Sequence, residues 1–155
     1  MKNLFAACVM AAAFVSPLAC AQDNAAADLQ ALQKAARSDK RALVAQTLEL
    51  TPAEAKKFWP IYDNLQRDLG NLNRERNVAL ETLANRDRPP SDAYAKQVLN
   101  DLMSIEEQEV KALRKASNAS LKALPPRKAA RYLQLESKIR AVQAYDVAVG
   151  IPLVK

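Results

Sequence analysis

Glu106, Glu107 and Glu109 form the densest carboxylate group in this 155-residue chain. On a helix Glu106 and Glu109 share a side, where two carboxylates can bind a cation or work as an acid and base pair. The groups that usually assist such chemistry are missing. Histidine is absent and the two cysteines are Cys8 and Cys20, close to the start. That excludes Ser-His-Asp and Cys-His nucleophiles, and the His/Cys ligand sets of zinc and helical di-iron sites. No Ser-x-x-Lys occurs, and two isolated glycines, Gly70 and Gly150, cannot build a phosphate-cradling loop. Glu107 has Lys111 four residues on, so the cluster reads as a solvated helix face. No catalytic residue, metal ligand or cofactor is expected.

Two other groups can engage a partner. Phe58-Trp59-Pro60-Ile61-Tyr62 is the most concentrated aromatic patch. It reads either as a hinge packed into the core, which suits Phe58, Ile61 and Tyr62, or as a client surface, which suits Trp59. The second group is basic. From Leu124 to Lys155, six cations stand against Glu136 and Asp146, and Arg127, Lys128 and Arg131 crowd one helix start. Acids are preferred at helix N-termini, so this placement works against the dipole and hints at a use in partner capture. The alternative is ordinary solvated surface.

The elements that position these groups all read as helices. Ala, Leu, Lys, Arg, Glu and Gln dominate, and no window alternates as a strand does. Prolines divide the chain into four segments. The first, about 25–48, carries weak apolar marks at Leu29, Leu32, Ala36, Leu43, Val44 and Leu48. The second opens on Thr51-Pro52-Ala53-Glu54, a capping box with proline at the first helical position. Phe58, Leu65, Leu72 and Ala79 recur every seven residues, as do Tyr62, Leu69, Arg76 and Leu83, giving one stripe broken only at Arg76. Pro60 predicts a kink, and 86–90 end the helix. Ser91 caps the third segment, whose stripe runs Tyr94, Val98, Leu102, Ile105, Val110, Leu113, Ser117 and Leu121. Pro125-Pro126 opens the fourth, with Tyr132, Leu135, Ile139 and Val142. Asp63/Arg67, Asp92/Lys96, Glu107/Lys111 and Glu136/Arg140 place an acid four residues before a base on exposed faces. The expected fold is all-α, a long bent antiparallel helical hairpin with flanking N- and C-terminal helices.

Residues 1–21 read as an export signal, with Lys2 at the positive start, an apolar run from Leu4 to Leu18, and Ala19-Cys20-Ala21 at the cut. Cleavage after Ala21 leaves one domain, 22–155, in the periplasm, with 22–28 disordered for want of anything to bury. The less favoured reading is a lipoprotein anchored through Cys20, for which Pro17 is a poor fit. The whole chain has 23 basic and 17 acidic residues, a basic excess suited to anionic partners. Export argues against nucleic acid, and no later run approaches the length of a membrane span.

A faint internal echo links the two proline starts. Leu50-Thr51-Pro52-Ala53-Glu54 precedes Phe58, and Leu124-Pro125-Pro126-Arg127-Lys128 precedes Tyr132, each aromatic eight residues after its leucine. With its export signal and helical layout, the chain resembles the Spy/CpxP family of periplasmic stress proteins, marked by a twice-used Leu-Thr-x-x-Gln. Here Glu54 replaces the first Gln, while Pro125 and Lys128 replace Thr and Gln in the second copy. The resemblance implies bent helical hairpins, often paired as a homodimer, that bind unfolding proteins or a sensor domain. The histidines of metal-binding relatives have no counterpart. The expected function is therefore an ATP-independent periplasmic chaperone or envelope-stress binding protein. Its rival is a regulatory or structural module with one dedicated protein partner.

Overall fold

A computed structural model describes residues 30–84, 90–151 and 153. Five helices follow one another and no strand occurs among the described residues. They are α1 (helical over 30–38), α2 (Lys40–Leu48), α3 (Pro52–Ala84), α4 (Asp92–Ala123) and α5 (Pro126–Gly150). Residues 1–21, read as an export signal, 22–28, read as disordered, and 85–89, most of the expected helix end at 86–90, lie outside the described residues.

The first expected segment is two helices, because Asp39 ends one and begins the other. Its backbone is extended (φ −153°, ψ 90°) and its carboxylate accepts the Ala42 N–H at 2.9 Å. A short acceptor side chain satisfies an orphan helical donor better from a cap than from mid-helix. α2 then closes on Glu49, the only described non-glycine residue with positive φ (46°). This left-handed residue turns the chain sharply into α3.

α3 begins with the reciprocal pair its sequence announces. The Thr51 N–H donates to Glu54 Oε2 at 2.8 Å and the Glu54 N–H donates to Thr51 Oγ1 at 3.3 Å. The helix runs through Pro60 unbroken. Pro60 and Lys56 are both exposed, so water can take up the carbonyl that Pro60 leaves without a donor. Ser91 caps α4 by accepting the Tyr94 N–H at 3.3 Å.

α3 and α4 share the most extensive interface and run antiparallel. Rising numbers on one match falling numbers on the other. Ile61 and Leu65 face Ala116 and Ala119, Arg76 meets Glu109, and Val78 and Thr82 lie across from Tyr94 and Val98. α1, α2 and α5 pack against the end of this hairpin nearest Leu50 and Leu124. There Val44, Leu48, Phe58, Tyr62, Leu65, Ala116, Leu124, Tyr132, Leu135 and Ile139 form the core. Phe58 and Tyr132, the aromatics of the two echoed starts, meet edge to face with centroids 4.9 Å apart. The echoed leucines also turn inward, Leu124 fully and Leu50 partly.

Removing the α3 cap tests how much the local signal contributes. Thr51→Ala should lower stability by roughly 0.5–2 kcal/mol, read from denaturant unfolding. An unchanged midpoint would show that Glu54 alone closes this helix start.

Candidate functional site

The carboxylate cluster is a solvated face only at Glu106 and Glu107. Glu109 is only 7% exposed and sits between two arginines from other helices. Arg76 of α3 donates through Nη2 to Glu109 Oε2 at 2.5 Å and to Glu106 Oε1 at 2.9 Å. Arg140 of α5 donates Nε to Glu109 Oε1 at 2.8 Å, and its Nη2 binds the same oxygen. Glu106 stays on the surface as the outer partner of Arg76. Burial pushes the Glu109 carboxyl up, but hydrogen bonds and charge from Arg76 and Arg140 outweigh it and hold the pKa below its ordinary value.

This arrangement corrects the apolar stripe of α4. The buried line runs Val98, Ile105, Glu109, Ala116 and Ser120, while Val110 and Leu121, both expected inside, are 55% and 50% exposed. A search for apolar residues alone steps over Glu109 and emerges one residue out of phase. The break in the α3 stripe at Arg76 and the polar entry at Glu109 are two halves of one contact. None of the four expected acid–base pairs four apart closes to ion-pair distance. Asp63 binds Arg41, Arg140 binds Glu109, and Glu136 binds Gln66.

Glu136 is a second buried carboxylate, 1% exposed. Both its oxygens accept from Gln66 Nε2, at 3.1 and 3.0 Å, and Gln66 Oε1 in turn accepts from Lys40 Nζ at 3.1 Å. The relay joins α2, α3 and α5. Burial raises the Glu136 pKa, and the Gln66 hydrogen bond and the charges of Lys40 and Arg140 offset this only in part. Nearby, burial and the Glu136 charge push the Tyr62 hydroxyl up to about 12.

The aromatic patch belongs to the core. Phe58 has no exposed surface and Tyr62 is nearly buried, so neither can meet a client in this conformation. Trp59, expected at the surface, is half-buried against the core with the Arg41 guanidinium 4.1 Å over its ring. Two of the three basic residues at the α5 start also have internal partners. Lys128 Nζ donates to the Glu49 carbonyl and to Glu54 Oε2, both at 2.8 Å, and Arg131 Nη1 reaches the Thr47 carbonyl at 3.4 Å. They serve the C-terminal carbonyls of α2, where a cation is favourable, and so outweigh the unfavourable position on their own helix. The Lys128 hydrogen bond is the main reason the Glu54 carboxyl sits below its ordinary pKa. Arg127 is exposed and makes no hydrogen bond or ion pair among the described residues.

A feature with room for a ligand lies at the other end of the hairpin. An open groove of about 610 Å³ runs between α3 and α4, lined by Val78, Ala79, Thr82, Tyr94, Val98 and Ile105 with Arg74, Glu75 and Asp101 at its edges. Of these, Ala79, Tyr94, Val98 and Ile105 were legible as stripe positions, and Val78 and Thr82 carried no signal. Among the described residues no cluster of three or more Asp, Glu, Cys or His could hold a metal ion. Glu109 is saturated by guanidinium, and neither it nor Glu136 lines the groove. Both carboxylates act as fasteners between helices.

Removing one partner of the Arg76–Glu109–Arg140 group should be costly, whereas replacing all three should not. Arg76→Met is expected to lose about 3 kcal/mol, and Arg76→Met/Glu109→Leu/Arg140→Met to recover most of it. Equal losses in the two unfolding curves would show that shape, not charge, sets the interface. The two carboxylates should also respond to pH in opposite directions. Glu136, with its pKa raised, contributes stability below its ordinary value of 4.5 that is lost as pH rises through the folded-state value. Glu109, with its pKa lowered, contributes stability above 4.5 that is lost as pH falls through the folded-state value. Unfolding midpoints from acid to neutral pH should therefore flatten on the neutral side in Glu136→Gln and on the acid side in Glu109→Gln.

No family model, no curated protein and no solved structure matches this chain.

Proposed function

We propose that this chain is a non-catalytic, ATP-independent chaperone or stress-binding protein of the periplasm, which holds apolar segments of unfolding proteins in the groove at the open end of the hairpin. One observation carries the reading. The core shared with α1, α2 and α5 takes in α3 only as far as Leu69 and α4 only from Ala112 on. Beyond it the two longest helices flank the groove, with Leu72, Val98 and Ile105 buried along their seam and Val78 left 63% exposed at the groove wall. Exposed apolar surface with charged edges suits loose capture of many partners, where hydrophobic contact holds and charge speeds encounter. The export signal supports the compartment.

This places the client surface away from Phe58, Trp59, Tyr62, Lys128 and Arg131, which the fold already uses. Purified protein should suppress the aggregation of several unrelated unfolding substrates, and Val78→Asp should weaken that suppression several-fold without loss of helicity. Suppression of none, together with one tight protein partner, would overturn the chaperone reading in favour of a dedicated binding module. Unchanged suppression by Val78→Asp would move the client surface out of the groove.

A further inference from the structure

The outer face of α4 carries an apolar stripe that neither the core nor the groove uses. Leu99, Met103, Val110 and Leu121 are each between 50% and 58% exposed. At 3.6 residues per turn their positions fall within a sector of roughly 40°, along roughly 33 Å of helix. None of the four lines the groove or the smaller cleft between Ile61, Leu65 and the alanines of α4. Together they form a narrow apolar ridge. Beside it, one flank is basic: Arg114, Lys111 and Lys122 are exposed and make no ion pair among the described residues, and Lys115, also exposed and without an ion pair, stands further round beside the smaller cleft. No acid occurs between Val110 and Ala123. Glu106, about 20° outside the stripe on the side away from these cations, is neutralised by Arg76, and Glu107 is the one acid on the basic flank.

We propose that this face is a contact with an anionic membrane surface. Leu99, Met103, Val110 and Leu121 would enter the boundary between headgroups and acyl chains, while Arg114, Lys111 and Lys122 reach lipid phosphates along their apolar stems and Lys115 adds to the positive field. Two observations favour a bilayer. The stripe is narrow and runs along roughly 33 Å of helix, a line of side chains that a fluid partner can surround without a matching pocket. An acid-free run of four cations from Lys111 to Lys122 suits a surface of uniform negative charge. No described helix is long and apolar enough to cross a membrane, so α4 lies on the surface rather than through it. The contact is separate from the groove and stands whether or not clients bind there.

The test is flotation of the chain from Gln22 onward, which keeps every described residue and omits the apolar run of the export signal. Vesicles of phosphatidylethanolamine with phosphatidylglycerol are compared with vesicles of phosphatidylcholine. Binding to the anionic vesicles should exceed binding to the neutral ones by at least about tenfold. Both Val110→Ser/Leu121→Ser and Lys111→Gln/Arg114→Gln/Lys115→Gln/Lys122→Gln should reduce it by at least about tenfold, with helical circular dichroism unchanged. Leu121→Trp provides a direct readout in a folded protein, its emission shifting to the blue on anionic vesicles alone. Absence of binding, binding by either multiple variant equal to that of the unsubstituted chain, or no shift at Leu121→Trp would overturn the proposal. So would sedimentation showing that Val110→Ser/Leu121→Ser turns a dimer into a monomer, since the stripe would then be covered by a second copy.

Discussion

The placement of Glu109 governs much of this fold. A carboxylate at 7% exposure must be compensated, and it is compensated here by guanidinium groups from two separate helices. That requirement fixes three alignments together. α3 must present Arg76, α5 must present Arg140, and α4 must turn Glu109 inward at the cost of leaving Val110 outside. An apolar residue at 109 would tolerate a shift of a turn along the hairpin; a charge needing two forked donors does not. The contact also lies near the edge of the core, with α1, α2 and α5 packed on one side and the open groove on the other.

The same economy governs the basic residues near the chain's end. A run of cations in a sequence suggests a surface waiting for an anion, yet Lys128 and Arg131 are drawn to the carbonyls that end α2. Glu49 gives that end a left-handed turn, and Lys128 binds both its carbonyl and the Glu54 carboxylate of the adjoining capping box. One ammonium thus joins the end of α2, the start of α3 and the start of α5. The cations left without ion pairs include those on the outer face of α4, which sequence position alone did not single out.

What could be read from the sequence was whatever is decided locally. The capping box at Thr51 and Glu54, the Ser91 cap and the proline-led start of α5 each depend on a few neighbouring residues, and each lies where its pattern places it. So does the hairpin, because two long helices with a short turn have few other ways to pack. The losses came where a distant partner decides. Asp39 gave no sign that it would divide a helix, and Trp59 looked superficial because nothing near it in sequence announced Arg41. Glu109 was assigned to solvent because its arginines lie 33 and 31 residues away. One sign of it was present all the same. Arg76 is the single polar interruption of the α3 stripe, and an inward arginine needs an inward acid across the interface.

Glu136 shows why the two ends of the hairpin differ in character. At the dense end a neutral amide, Gln66, holds a carboxylate that lacks an ion-pair partner, among aromatic rings that exclude water. Such a site is worthwhile only where tight packing already surrounds it, since an unpaired charge in a loose interface would admit water and lose its geometry. The open end has no comparable enclosure. Its helices are held by each other, by Leu72, Val98 and Ile105 buried along their seam, and by the arginine contact at its base, while Val78 stays exposed at the groove wall. Packing concentrated at one end is what permits apolar surface to persist at the other without collapse of the hairpin.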